Sequence, residues 1–294
     1  MDSVKQFLSK KRPSLSKSSL TTYSSILRNL YKKIYKDEEY NLDKFENTKP
    51  VLEYLKDIPP NRRKTILSAL VIITDKKPYR DLMLQDVRDY NKDINKQEKS
   101  PAQEASWVEK EDINKIYKEL KSNADLLYKK KNRTISDLQQ IQNFIIMSVL
   151  GSVFIPPRRS KDYVDFKIRG VHKDNDNYMD KNKFIFNSYK TAKTYGKQDV
   201  NIPVQLRNII KKWISINPTD NLLFDSNGNK LSSVKLNQRL NKIFNGKKVG
   251  VNQLRHTYLT DKYADTIDQK KKVANDMEDM GSSSNMLNTY VKED

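Results

Sequence analysis

The chain contains no cysteine, which excludes disulfides and thiolate metal sites. Its two histidines, His172 and His256, supply no ligand set for an ordinary metal centre, and none is expected. Glycine is scarce, at 7 of 294 residues, and neither a Gly-rich phosphate loop nor a G-x-S-x-G elbow occurs. No stretch of about 18 apolar residues is present to span a membrane. The opening MDSVKQFLSKKRPS lacks the unbroken apolar core of a signal peptide. A soluble intracellular protein is expected. Nuclear, cytoplasmic (including a viral replication site) and bacterial settings all stay open, because KKRP at 10–13 is a weak import signal.

Acid is the other shortage. Asp and Glu number 37 against 56 Lys and Arg, giving a net charge of +19 and a pI of about 9.6. Such an excess implies a polyanionic partner, nucleic acid first. An AT-rich genome would enrich Lys, Asn, Ile and Tyr unaided, but Asp and Glu codons tolerate the same bias, so the imbalance calls for another cause. The oxygen-rich DNDNYMD at 174–180 puts Tyr178 where a calcium loop needs a ligand and lacks the turn glycine. It reads as a solvated hairpin loop.

The first ninety residues read as helices. Ser18 or Ser19 serves as an N-cap, and Leu20, Tyr23, Leu27, Leu30, Tyr31 and Ile34 then share one face. Further helices are expected at Pro50–Lys56, after Pro59-Pro60, and over Tyr79–Tyr90. Lys92–Ala105 is polar and aperiodic, as a linker would be, with Trp107 anchoring the start of a second domain. The resulting division is a helical domain at 1–95, a linker at 96–105 and a second domain at 106–294. That second domain opens with helices at Lys110–Leu120 and Ile135–Val149. Short strand-like segments come next, in DYVDFKIRG, KFIFNSYK and QDVNIP. Helical patterns return at Val204–Ile216, Ser233–Phe244, Asn252–Tyr263 and Lys270–Met277. The fold class is mainly α with a small antiparallel sheet, an α+β arrangement.

Four clusters stand where apolar patterns end. In FIPPRRSKDY, Arg158 and Arg159 follow an apolar helix and two prolines, a place where paired cations need an anionic partner. Arg159 could equally pair with Asp162 on a helix surface. The hairpin NSYKTAKTYGKQDVNIP carries Lys190, Lys193 and Lys197 about its turn, where lysines are usually solvated. In VNQLRHTYLTDKY, Arg255 and His256 interrupt an amphipathic helix, and His256 also suits a structural hydrogen bond. The tail MGSSSNMLNTYVKED carries Tyr290, which either packs a last helix or acts as a nucleophile.

In that order the four clusters resemble the tyrosine recombinases, the phage-integrase superfamily that shares its catalytic domain with type IB topoisomerases. LRHTYLT is similar to the family's second arginine box, H-x-L-R-H-[ST], and GSSSNMLNTY to its closing G-[HW]-x-S…Y box. PPRRSKDY and YKTAKTYG are similar to members from large DNA viruses of protists and their satellite viruses. The resemblance runs nearly the length of the chain. It implies a core-binding domain joined by the linker to a catalytic domain, the two closing on duplex DNA.

It also implies a chemistry without metal, ATP or other cofactor. A tyrosine oxygen attacks a phosphodiester, giving a 3′-phosphotyrosine and a free 5′-hydroxyl. Two arginines offer paired donors to the non-bridging oxygens, and a lysine protonates the departing oxygen. The catalytic set carried over is Arg159, Lys193, Arg255, Tyr290, Asn252 and Ser282. Arg159 is chosen over Arg158 because the family's first arginine precedes an acid by three positions, and Asp162 stands there. Lys193 is chosen over Lys190 because AKTYG looks most like the family's K-T-G turn. Arg158, Lys190, His256, Arg62 and Arg63 are the expected DNA contacts. Asn252 stands where the family has histidine and Ser282 where it has histidine or tryptophan, and neither can act as a base near neutral pH.

A homo-tetramer on DNA is implied by four active sites acting on two duplexes. Only VKED follows Tyr290, so contacts between protomers are expected elsewhere. The rivals are a strand-swivelling topoisomerase, a DNA-binding relative that has lost its chemistry, and a general nucleic-acid-coating protein.

Overall fold

The computed structural model describes residues 3–36 and 38–279, without the side chains of residues 274 and 277–279. Contacts divide the chain into two compact units, 1–99 and 100–294. Among the described residues no helix is long and apolar enough to cross a membrane.

The first unit comprises α1 (Ser3–Lys11), α2 (Lys17–Tyr35), a 3-10 turn (Leu42–Glu46), α3 (Thr48–Leu55), α4 (Pro60–Thr74) and α5 (Lys77–Asn95). Helix α2 starts earlier than the serines suggested, because Ser16 is the cap that accepts the Ser19 N–H at 3.1 Å. Its apolar face behaves as spaced: Leu27, Leu30 and Tyr31 are buried, with Leu20, Tyr23 and Ile34 packed against them. Pro60 occupies the first turn of α4, where its missing N–H costs nothing. Helix α1 escaped sequence reading, since only Val4 and Leu8 are buried on it. Helices α4 and α5 are locked by Arg63, whose Nε and Nη2 donate to the two oxygens of the fully buried Asp86 at 2.9 and 2.6 Å.

The expected linker is shorter than its polarity implied. Helix α5 runs to Asn95, and α6 (Pro101–Ser106) begins under a capping box in which Ser100 and Gln103 satisfy each other's backbone N–H. Small caps, not apolar periodicity, made these residues helical.

The second unit continues with α7 (Lys110–Tyr128), α8 (Ile135–Leu150) and α9 (Ser160–Val164). Strands β1 (Phe166–Lys167), β2 (Asn177–Asp180) and β3 (Lys183–Phe186) follow. Then come α10 (Ala192–Tyr195), β4 (Gln198–Asn201), α11 (Val204–Ile216), α12 (Ser233–Ile243) and α13 (Val251–Asp279). The sheet has the order β1-β2-β3-β4 and is mixed, because β1 lies parallel to β2 while the other pairs are antiparallel. This corrects the expected antiparallel sheet. The residues between β1 and β2 bring the chain back to the same end, whereas Lys181-Asn182 makes a tight reversal.

Two local readings also change. The first three residues of DYVDFKIRG belong to helix α9, and DNDNYMD is only partly loop. Asn177 is fully buried and opens β2, donating to the carbonyls of Asp162 (3.0 Å) and Ser188 (2.8 Å) while accepting from the Asn187 and Ser188 N–H groups. An asparagine amide supplies two donors and an acceptor oxygen, which here tie two backbone segments, at Asp162 and at Asn187-Ser188, to the start of β2. The core beneath the sheet is aromatic, with Tyr163, Phe166, Phe184 and Phe186 meeting largely edge to face.

The N-terminus of α8 is held by charge. Thr134 and Asp137 form a capping box, and Lys130 donates to Asp137 at 2.6 Å. The Lys130 bond first, and the Thr134 backbone N–H second, pull the Asp137 carboxyl down from 3.8 to about 2. A depressed acid contributes stability that is present above its unfolded pKa and is lost as pH falls through the folded value. Asp137→Asn is therefore expected to lower the denaturation midpoint at pH 7. The difference from wild type should shrink as pH falls below about 4 and vanish only below about pH 2, as paired urea titrations would show.

Candidate functional site

Helix α9 brings the first cluster to the edge of the sheet. The two prolines before it end the preceding segment, and Arg159 is the N-cap residue, so Asp162 lies one turn on and points inward. Asp162 is 2% exposed. Arg158 reaches it with Nε at 2.8 Å, donates through Nη1 to Gln198 Oε1 at 2.8 Å, and lies 3.9 Å over the Phe186 ring and 5.2 Å over Tyr189. Four groups from α9, β3, the loop after it and β4 thus share one guanidinium.

The Arg159 side chain makes no hydrogen bond or ion pair among the described residues, and the residue is half-buried. Its charge is felt by Arg255, which arrives from α13 ninety-six positions later. Burial first, and then the positive charge of Arg159, lower the Arg255 pKa from its usual value. Asp162 feels all three arginines, yet burial is the larger influence and raises its carboxyl above the ordinary range. Its Oδ1 is buried without a hydrogen-bond partner among the described residues.

The start of α13 is fixed from two sides. Asn237 of α12 accepts the Val251 N–H at 3.2 Å, and Thr257 donates to the Val108 carbonyl at 2.7 Å. Leu254 is buried, so the opposite face, with Asn252, Arg255 and His256, is turned outward. Asn252 accepts a long hydrogen bond from Arg255 at 3.4 Å. His256 is exposed and unbonded among the described residues.

Lys190 and Lys193 sit in the connection between β3 and β4, both exposed and without bonded partners among the described residues. The connection holds a single helical turn, α10, closed by the Tyr189 hydroxyl donating to the Gly196 carbonyl at 2.7 Å. Gly196 adopts φ +66°, which favours glycine there. Nothing in the bonding separates the two lysines.

Of the expected residues, Arg159, Arg255 and Asn252 therefore come together, and Ser282 and Tyr290 lie outside the described residues. Two expected DNA contacts are committed elsewhere. Arg158 is spent on Asp162 and the hairpin, and Arg63 on Asp86, each held because an unpaired buried carboxylate would be costly. Arg62, next to Arg63, is exposed. Asp162 and Asn177 are the residues whose importance sequence reasoning understated. Asp162 was visible only as a spacing from Arg159, and Asn177 carried no signal beyond a polar residue at the start of an apolar segment.

No protein-family model matches the chain, and no curated protein matches it.

The neighbouring arginines should separate cleanly on substitution. Arg158→Ala leaves a buried charge unpaired and is expected to cost about 3 kcal/mol of unfolding free energy. Arg159→Ala removes a cation that repels Arg255 and should stay within about 0.5 kcal/mol of wild type. Denaturant titration of both variants measures the contrast.

Proposed function

We propose that the protein is a tyrosine recombinase that cuts and rejoins duplex DNA through a 3′-phosphotyrosine. The observation that carries this reading is that Arg159 and Arg255, from elements far apart in sequence, lie close enough for one charge to act on the other, and neither has an ion pair among the described residues. Asp162, the nearest acid, is already bonded to Arg158. Like charges held together in a half-buried place are unfavourable alone and favourable around an anion. A scissile phosphate, with two non-bridging oxygens, fits two guanidinium forks.

In the proposed reaction the Tyr290 oxygen bonds to phosphorus and the bond to the 5′-oxygen breaks. The phenolic proton leaves to solvent, and the 5′-oxygen takes a proton from Lys193 or Lys190. Arg159 and Arg255 hold the charge that builds on the phosphoryl oxygens. Asn252 orients Arg255 and holds phosphate by hydrogen bonding. Strand joining is the reverse with a new 5′-hydroxyl, so the energy of the broken linkage is retained. Four protomers on two duplexes would complete an exchange, with the helical first unit supplying backbone contacts such as Arg62.

Incubation with a library of nicked duplexes tests the chemistry, since cleavage near a nick releases a short 5′-hydroxyl strand that cannot be resealed. A covalent adduct mapped by mass spectrometry to Tyr290, and absent in Tyr290→Phe, is the expected result. Tight DNA binding with no adduct across the library would leave a non-catalytic DNA-binding protein instead. In the same preparation, Arg62→Ala should weaken DNA binding without altering stability and reduce the slope of log affinity against log salt by about 1.

A further inference from the structure

Lys190 and Lys193 leave the sheet in a connection whose two mouths are tied to α9. The β3 side is held by Asn177, which donates to the carbonyls of Asp162 and Ser188 and accepts the Asn187 and Ser188 N–H groups. The β4 side is held by Arg158. Phe186 and Gln198 face each other as the last pair of the β3–β4 ladder, and one guanidinium engages both. Its Nη1 donates to Gln198 Oε1 at 2.8 Å, and its carbon lies 3.9 Å from the centre of the Phe186 ring.

Between these mouths the connection is bonded to itself. The Tyr189 carbonyl accepts the Ala192 N–H at 3.1 Å, and the Ala192 carbonyl accepts the Gly196 N–H at 2.8 Å. The Tyr189 hydroxyl closes the turn on the Gly196 carbonyl, and its ring lies 5.2 Å from the Arg158 guanidinium. Tyr189 is buried, whereas both lysines that follow it are exposed. A shift of this turn against α9 has to break the Arg158 contacts.

Neutralising Asp162 does not by itself require an arginine. Lysine serves that purpose twice in this unit, from Lys130 to Asp137 and from Lys235 to Asp225, each at 2.6 Å. What lysine lacks is a rigid fork with a second donor and a flat face to lay on two rings. At Arg158 those two properties are used on the hairpin, not on the carboxylate.

We propose that Arg158 is a positioning residue for proton donation. It sets the lysine turn against α9, so that the donor lysine stands at the departing 5′-oxygen while Arg159, the next residue, meets the phosphate. The proposal rests on the phosphotyrosine reading above, and the bonds are those given there. Phosphorus gains the tyrosine oxygen and loses the 5′-oxygen, which takes the lysine's proton. Arg158 touches no reacting atom.

Two variants test this. Arg158→Lys keeps a cation for Asp162 but gives up the fork and the flat face, and Gln198→Ala removes the β4 bond alone. Each is compared with wild type on a nicked duplex that yields adduct, made with either the ordinary 5′-oxygen or a 5′-bridging sulfur at the cleaved linkage. A thiolate departs without a proton, so the sulfur substrate has no need of the lysine. Arg158→Lys should slow cleavage at oxygen about 100-fold, and Gln198→Ala about tenfold. Both should cut the sulfur substrate at close to the wild-type rate. Once the donor lysine is replaced, by Lys193→Ala or Lys190→Ala, adding Arg158→Lys should slow the oxygen substrate no further. Equal slowing on both substrates in proteins that urea titration shows to be folded overturns the proposal, as does unchanged cleavage of both. A wild type that forms no adduct on either substrate removes the phosphotyrosine reading, and this proposal with it.

Discussion

The buried carboxylate of Asp162 organises the second unit around the candidate site. Without Arg158 it would be an uncompensated charge beneath the sheet, and with Arg158 it becomes the point where α9, the hairpin and an aromatic wall meet. Its environment still favours the neutral acid more than water does, since burial outweighs the arginines. That residual tension explains the division of labour between two adjacent arginines. One neutralises the acid and is spent on structure. The other, a residue further on at the helix N-cap, has no side-chain hydrogen bond or ion pair among the described residues, and its charge acts on Arg255. Stability would be served by separating Arg159 from Arg255. On the proposed reading, an anion held between them offsets that cost.

How far the sequence disclosed this arrangement differs from residue to residue. Long amphipathic helices were legible because burial follows period: α2, α8, α11 and α12 lie within a few residues of where their apolar positions put them. Helices set by caps alone, such as α6, were not. Nor was the parallel pairing of β1 with β2, because a two-residue strand has no alternation to read. At the site, the three-residue interval from Arg159 to Asp162 was the sequence's one ground for separating the two arginines, and it gave no sign that the Arg158 side chain is the one bonded to Asp162. Arg63 looked like a surface cation because its partner, Asp86, lies twenty-three residues away on another helix. Pairing across helices leaves no local trace in a sequence.

Continuity of α13 joins questions that the sequence had kept apart. Two helical patterns, at Asn252–Tyr263 and Lys270–Met277, are parts of one helix, so the distance from the arginines to the tail is set by helical rise and not by a flexible turn. Leu259 and Tyr263 lie exposed along it.

The departure at Asn252 is easier to accept in this electrostatic setting. A histidine at that position could take a proton from a nucleophile, and an asparagine cannot. On the proposed reading, however, the approaching tyrosine enters the field of two guanidiniums, with the Asp162 carboxylate tied to Arg158. Nearby positive charge favours the phenolate over the phenol and lowers the tyrosine pKa from about 10. The cations that hold the phosphate would then also assist the nucleophile, and the burden on a separate base falls. What the site must keep in that case is the orientation of Arg255, which an amide one turn away can supply as well as an imidazole.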